Sequence, residues 1–298
     1  MKSYTDKLYA VKLYIFLSFL FCITAAAGMQ AQEKSGSKQK MHKLISREVR
    51  YSDDKTEMKG YMVYDASVKG KRPGVIVVHE FWGLNDYAKK RADMLAELGY
   101  TAFAVDMYGG GTTANNPQDA QKLAGEVRDN MNGAVSRFNK AVEVLKAEPE
   151  TDAGNIAAIG YCFGGGVVLN MARINPGLRA VVSFHGTLAP AAGKTAPKGM
   201  KPAVLVCHGG ADHFITPEEF EDFRKEMEQA NADYTIIVYA NSQHAFTNPD
   251  ADRLGKEFKM DISYNEKADK ESWLHMQQFL TRIFKGSLSA QSMKEYIK

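Results

Sequence analysis

The strongest constraint on the fold is an alternation. From residue 45 onward, short apolar runs alternate with stretches of helical periodicity, and no internal repeat is visible. Several runs, VIVVH, VLVCH and TIIVY, are apolar almost without a break. Strands buried on both faces look like this, as in parallel sheets. The pattern predicts strands at 46–51, 60–64, 74–79, 100–106, 156–161, 179–184, 203–208 and 234–239. Helices are expected at 87–98, 117–146 (broken near Asn132-Gly133), 165–173, 217–229 and 267–284. Thr216-Pro217-Glu218-Glu219 is a strong helix start, with a capping hydroxyl and an acidic first turn. Strand–helix alternation implies an α/β fold with a mostly parallel, doubly wound sheet and ligands at the carboxyl ends of its strands. The first two strands lack an intervening helix, so an antiparallel N-terminal edge hairpin is expected. No linker-like composition divides residues 45–285, which read as a single domain, with 286–298 as a C-terminal tail.

The start of the chain reads as an address. Lys2, Lys7 and Lys12 precede an uncharged run from Leu13 to Ala27 that ends in small residues. This is the pattern of a secretory signal peptide, assigned to residues 1–31, and the run is short of the roughly 20 residues that span a bilayer. Export to the periplasm or the exterior is expected, with no stable membrane span after cleavage. Cys22 does not make a lipoprotein site, because bulky Leu20 and Phe21 precede it. Residues 32–44 begin with a polar stretch and read as a flexible lead-in. Cleavage removes three lysines and Asp6, so the formal charge of +3 becomes +1. With no basic block, nucleic acid is not an expected partner. Only Cys162 and Cys207 remain, too few for a disulfide framework, although two cysteines in an oxidising compartment could pair.

The chemistry concentrates in IAAIGYCFGGGVVLN, residues 156–170. A buried strand ends in Gly160-Tyr161-Cys162-Phe163-Gly164 and a helix follows. This is the G-x-S-x-G nucleophile elbow with cysteine in place of serine. So sharp a turn leaves no room for side chains beside the nucleophile, hence the glycines. The helix N-terminus favours a thiolate and a developing oxyanion. The segment is neither G-x-G-x-x-G nor a Walker loop, and the five residues alone would equally suit a tight turn around a structural cysteine.

The remainder of the chain favours the nucleophile. A cysteine nucleophile needs a base, and the base an orienting carboxylate, in the chain order nucleophile, acid, histidine. AVLVCH runs into Gly209-Gly210-Ala211-Asp212, and YTIIVYA into Asn241-Ser242-Gln243-His244. Cys162, Asp212 and His244 thus follow three different strands and open onto one edge of the sheet. Glu80, Phe81 and Trp82 follow another strand. The Phe81 and Phe163 amides are the expected oxyanion donors, and Glu80 is placed to take the thiol proton or hold the thiol at rest. His42, His185 and His275 have no comparable placement. A metal reading of His208, Asp212 and His213 lacks further ligands, and His79-Glu80 fails as H-E-x-x-H because Gly83 holds the second histidine position. Cys207 reads as a packed thiol. No metal site is expected.

The sequence resembles the dienelactone hydrolase family over about residues 45–285. The motifs are VIVVHEFWGLNDY, TAFAVDMYG, IGYCFGGG, HGGAD, SQHAFTNP and YNEKADKESW. The resemblance implies an α/β-hydrolase fold, a Cys162–His244–Asp212 triad, Glu80 as the acidic partner of Cys162, and hydrolysis of esters or lactones without a cofactor. Family members that act on dienelactones grip the substrate carboxylate with two arginines, and Gly110 and Asn248 occupy those positions. Bidentate carboxylate recognition is therefore lost, which speaks against a dienelactone, and a small-molecule ester or lactone is the expected partner. The Gly109–Thr113 loop, following Tyr108, suggests a mobile or open rim; Phe81, Trp82 and Phe246 suggest an apolar pocket mouth. Two other uses of the chain remain: peptidase or acyltransferase chemistry at the same elbow, and a catalytically silent exported binding protein.

Overall fold

The structure is a computed structural model and describes residues 42–284 apart from 54, 175 and 176. The expected leader, most of the lead-in and the C-terminal tail lie outside the described residues. Among the described residues no helix is long and apolar enough to cross a membrane.

Eight strands form one sheet: β1 (Leu44–Ser52), β2 (Glu57–Asp65), β3 (Arg72–Val78), β4 (Thr101–Val105), β5 (Thr151–Tyr161), β6 (Ala180–Phe184), β7 (Ala203–Gly209) and β8 (Tyr234–Tyr239). Their order is β1-β2-β4-β3-β5-β6-β7-β8. The hairpin β1–β2 is antiparallel and joins β4 antiparallel, while every pairing from β4 to β8 is parallel. This is the expected α/β-hydrolase arrangement, with the hairpin at one edge. The continuous apolar runs have a simple cause. In β3, Val75 and Val77 enter one core layer and Ile76 and Val78 the other, so both faces of the strand are covered.

Helices α1 (Asp86–Glu97), α2 (Pro117–Asp129), α3 (Met131–Ala147), α4 (Phe163–Ile174), α5 (Pro217–Gln229), α6 (Ala251–Phe258) and α7 (Glu266–Ile283) lie in the connections or after the last strand. The long helix expected at 117–146 breaks at Asn130, earlier than Asn132-Gly133. The Asn130 side chain accepts from the Gly133 amide at 3.0 Å, capping α3. A Cβ at Gly133 would lie 2.6 Å from that side chain, so the glycine serves the cap rather than the break. Helix α6 is absent from the sequence reading; its two turns are too short to establish a period.

The turn between β5 and α4 is sharp. Cys162 sits at φ +53°, in the left-handed region. A Cβ on Gly160 would lie 2.1 Å from the Gly164 carbonyl oxygen, and one on Gly164 would lie 2.3 Å from that of Val78. Both obstacles are backbone. The glycines let the helix start pass directly over β5 and β3, and this crossing lifts Cys162 above the strand ends.

Candidate active site

Cys162, Asp212 and His244 arrive from the ends of β5, β7 and β8 and meet. The Cys162 Sγ lies 3.1 Å from His244 Nε2, and His244 Nδ1 lies 2.9 Å from Asp212 Oδ2. The other Asp212 oxygen accepts the Phe214 amide at 2.9 Å, which fixes the carboxylate. Asp212 is buried, while Cys162 keeps partial access to solvent. Burial alone would push the His244 imidazolium down. The adjacent sulfur and the Asp212 carboxylate outweigh burial and raise it. A cationic imidazole touching the sulfur favours thiolate chemistry. Cys162 and Cys207 are both free. Cys207 is fully buried in β7, and burial pushes its thiol up to about 12, consistent with a packed side chain.

Phe163 opens α4, where the first amides have no acceptor within the helix. The loop after β3 that carries Phe81 is fixed from the other side, since the Tyr108 hydroxyl donates to the Phe81 carbonyl at 2.8 Å.

Glu80 is buried, and its partner differs from the expected one. Its carboxylate accepts from Asn248 Nδ2 at 2.7 Å, while the Cys162 sulfur is taken by His244. Burial raises the Glu80 carboxyl to about 7, against the weaker opposing pull of Asn248, His244 and Arg91. Ionising it costs the folded state. Folding stability should therefore fall as pH rises from the ordinary value of 4.5 to about 7. Glu80→Gln keeps an acceptor for Asn248 and has no charge to bury. Across that window the variant should gain on the wild type by about 3 kcal/mol in urea unfolding. A pH-independent gap between the two proteins would show that Glu80 is not buried as described.

The aromatic residues expected at the pocket mouth are only partly placed as expected, and the cleft that Trp82 lines is not lined by Cys162, His244 or Asp212. Trp82 packs on Phe81 and on Phe258 of α6, with ring centroids 4.4 and 5.9 Å away. It lines a cleft of about 350 Å³ with Asn248, Leu254 and Phe258. Phe246 is not at the mouth. Ala245 has φ +59°, which turns the chain so that Phe246 points inward and is fully buried against His185 and Tyr239. Nor does the glycine-rich rim hang free. The Asp106 carboxylate accepts from the amides of Tyr108, Gly109 and Gly111 at 3.0, 2.8 and 2.7 Å. Its three glycines all take positive φ to follow that turn.

The structure adds two residues with no sequence signal. Phe214 is 55% exposed, yet its ring lies 4.9 Å from that of His244 and forms a lip over the imidazole. His185 is buried beneath the site, with its ring 5.3 Å from His244. His213, considered above as a ligand, turns instead to Asp261 at 2.6 Å. Among the described residues no group of three or more His, Cys, Asp or Glu could hold a metal ion.

The eight-stranded, mostly parallel sheet with a sharp strand–Cys–helix turn defines an α/β-hydrolase fold. The chain matches the model of the dienelactone hydrolase family over residues 58–284, and it belongs to that family. It is a hydrolase acting on ester or lactone bonds. It is 32% identical to the protein usf of Aquifex pyrophilus over 67% of this chain and 86% of that one. A protein of Aquifex aeolicus assigned as a carboxymethylenebutenolidase is 29% identical over 76% of this chain and 93% of that one. Among solved structures, a dienelactone hydrolase-like promiscuous phosphotriesterase from metagenomic libraries superposes with a TM-score of 0.75. It is 34% identical and covers 80% of this chain and 98% of that one.

Proposed function

We propose that this protein is an exported hydrolase of small uncharged carboxylic esters or lactones that works through a thioester at Cys162. The observation that carries the reading is the continuous contact from the Cys162 sulfur through His244 to Asp212. In the forward step the thiolate attacks the carbonyl carbon and the Phe81 and Phe163 amides take the developing oxyanion. The tetrahedral adduct collapses, the C–O bond to the leaving group breaks, and the His244 imidazolium protonates the departing alkoxide. His244, held by Asp212, then takes a proton from water, which attacks the thioester. Cys162 leaves as thiolate, and the carboxylic acid product forms.

The substrate class follows from what surrounds the thiol. Phe214 lies over His244, and Phe81, which packs on Trp82, borders the same core cluster as Cys162, so apolar contact is on offer. Gly110 stands at one of the two arginine positions, and Asn248 at the other binds Glu80. Arg91, the cation that acts on Glu80, is buried and committed to Asp269 at 2.6 Å and to the Thr247 carbonyl. Neither of those two positions, nor Arg91, therefore offers a free guanidinium to a substrate carboxylate. Purified residues 32–298 should hydrolyse uncharged aryl esters at least about tenfold more efficiently than analogues bearing a free carboxylate, the loss of one charge-assisted pair. Phe214→Ala should raise KM for the aryl esters more than it lowers kcat. Cleavage of peptidyl amides without ester turnover, or a preference for the anionic ester, would overturn the reading. The leader segment supports export, and recovery of residues 32–298 from the periplasm or medium is its check.

A further inference from the structure

A second imidazole lies under the site, and no step above uses it. His185 follows β6 at φ +41° and is 1% exposed, with both ring nitrogens occupied. Its Nδ1 accepts the Cys162 amide at 3.1 Å, a proton that Cys162 shares with the Phe184 carbonyl at 3.0 Å. An Nδ1 that accepts leaves the ring proton on Nε2, which donates to Thr247 Oγ1 at 2.7 Å. Thr247 Oγ1 in turn meets the Tyr87 hydroxyl of α1 at 2.6 Å, and the Thr247 carbonyl takes Arg91. The same ring stands edge-on to His244, and Tyr161 and Phe246 complete its surroundings.

We propose that His185 is a positioning residue for Cys162: its neutral ring accepts the amide of the left-handed nucleophile turn and sets the sulfur's distance to His244. The proposal rests on Cys162 being the nucleophile, but not on the substrate being an ester. A left-handed turn in a non-glycine residue persists only where its surroundings over-determine it. Here the Phe184 carbonyl and, beside it, the His185 ring place two acceptors under the strained amide from the next strand. Neutrality is part of the device, because a protonated Nδ1 would repel that amide. Burial holds the His185 imidazolium well below its ordinary range, and His244 and Arg91 add to the effect. The positive charge of the histidine pair is thereby confined to His244, beside the sulfur.

The test is alkylation of Cys162 by iodoacetamide across pH, read beside ester turnover and thermal unfolding. His185→Leu removes the side-chain acceptor, leaves the Cys162 amide to the Phe184 carbonyl alone, and lets the sulfur drift. Alkylation at mildly acidic pH and kcat should each fall by on the order of 100-fold, with the alkylation profile displaced to higher pH. KM should stay within about threefold. His185→Gln offers an amide oxygen to Cys162 and an N–H to Thr247, and should recover most of both rates. If His185→Leu does not fold, Thr247→Val decides, because it removes the hydroxyl that fixes the ring's tautomer and leaves the ring itself in place, with Tyr87→Phe as the control for the lost Tyr87 bond. Thr247→Val should slow alkylation in the same direction. Variants that melt earlier while the alkylation profile stays that of wild type would overturn the proposal. A wild type that hydrolyses no ester, with the alkylation shift present in His185→Leu, would remove the ester reading and leave this one standing.

Discussion

Cys162→Ala should leave a folded protein whose kcat on small aryl esters is lower by about 10⁴-fold or more, the scale of losing a nucleophile from a coupled triad. The substitution is mild for the fold. Cys162 already stands at φ +53°, and alanine removes only the sulfur from a partly exposed position. Melting should therefore move by no more than a few degrees. The chemistry, in contrast, has no substitute. Cys207 is buried in β7 with its thiol pushed up, and Ser183, the hydroxyl near the elbow, is fully buried beneath it. What activity remains would come from the oxyanion amides and from His244 acting on water. A variant with undiminished turnover would place the reaction elsewhere in the molecule.

The largest structural effect is expected at Gly160. A methyl there would sit 2.1 Å from the Gly164 carbonyl oxygen and 2.8 Å from the Gly165 amide nitrogen. Both are backbone atoms of α4, so no rotamer change relieves the clash; α4 would have to lift from β5. That helix buries Val168, Leu169 and Met171 against the sheet. Moving it breaks packing and the elbow together, and Gly160→Ala should cost about 4 kcal/mol or more, or fail to give soluble protein. Gly125→Ala is the internal control, since a Cβ there meets nothing within 4 Å. It should be neutral or slightly stabilising. Equal melting temperatures for the two variants would show that the turn is looser than described.

How much of this was legible in the sequence depends on what kind of signal each residue carries. The parallel strands were readable because covering both faces of a strand forces an uninterrupted apolar run. β5 extends further back than expected, through Thr151 and Asp152, because those residues pair with Arg72 and Pro73 across a register shift at Pro73/Gly74. Polar residues at a sheet end carry no apolar pattern. Cys162, Asp212 and His244 were readable because each ends an apolar strand and their order matches one fold. Phe246 was misplaced because one left-handed residue, Ala245, reverses which side faces the core. The glycine rim was misread because three glycines suit either mobility or a tight turn, and only the Asp106 carboxylate beneath them distinguishes the two. His185, Thr247 and Phe214 matter through contacts across the fold, and nothing in their local sequence announces such contacts. In the sequence Asn248 stands out only as an absent arginine, and its hold on Glu80 emerges from the fold.

The most direct test is intact-protein mass spectrometry during turnover of a slowly deacylated aryl ester, quenched in acid and followed by peptide mapping. The wild type should carry one acyl group, on the peptide containing Cys162, removable by hydroxylamine; Cys162→Ala should carry none. An acyl group on any other residue, or steady hydrolysis with the Cys162 sulfur never modified, would contradict the account.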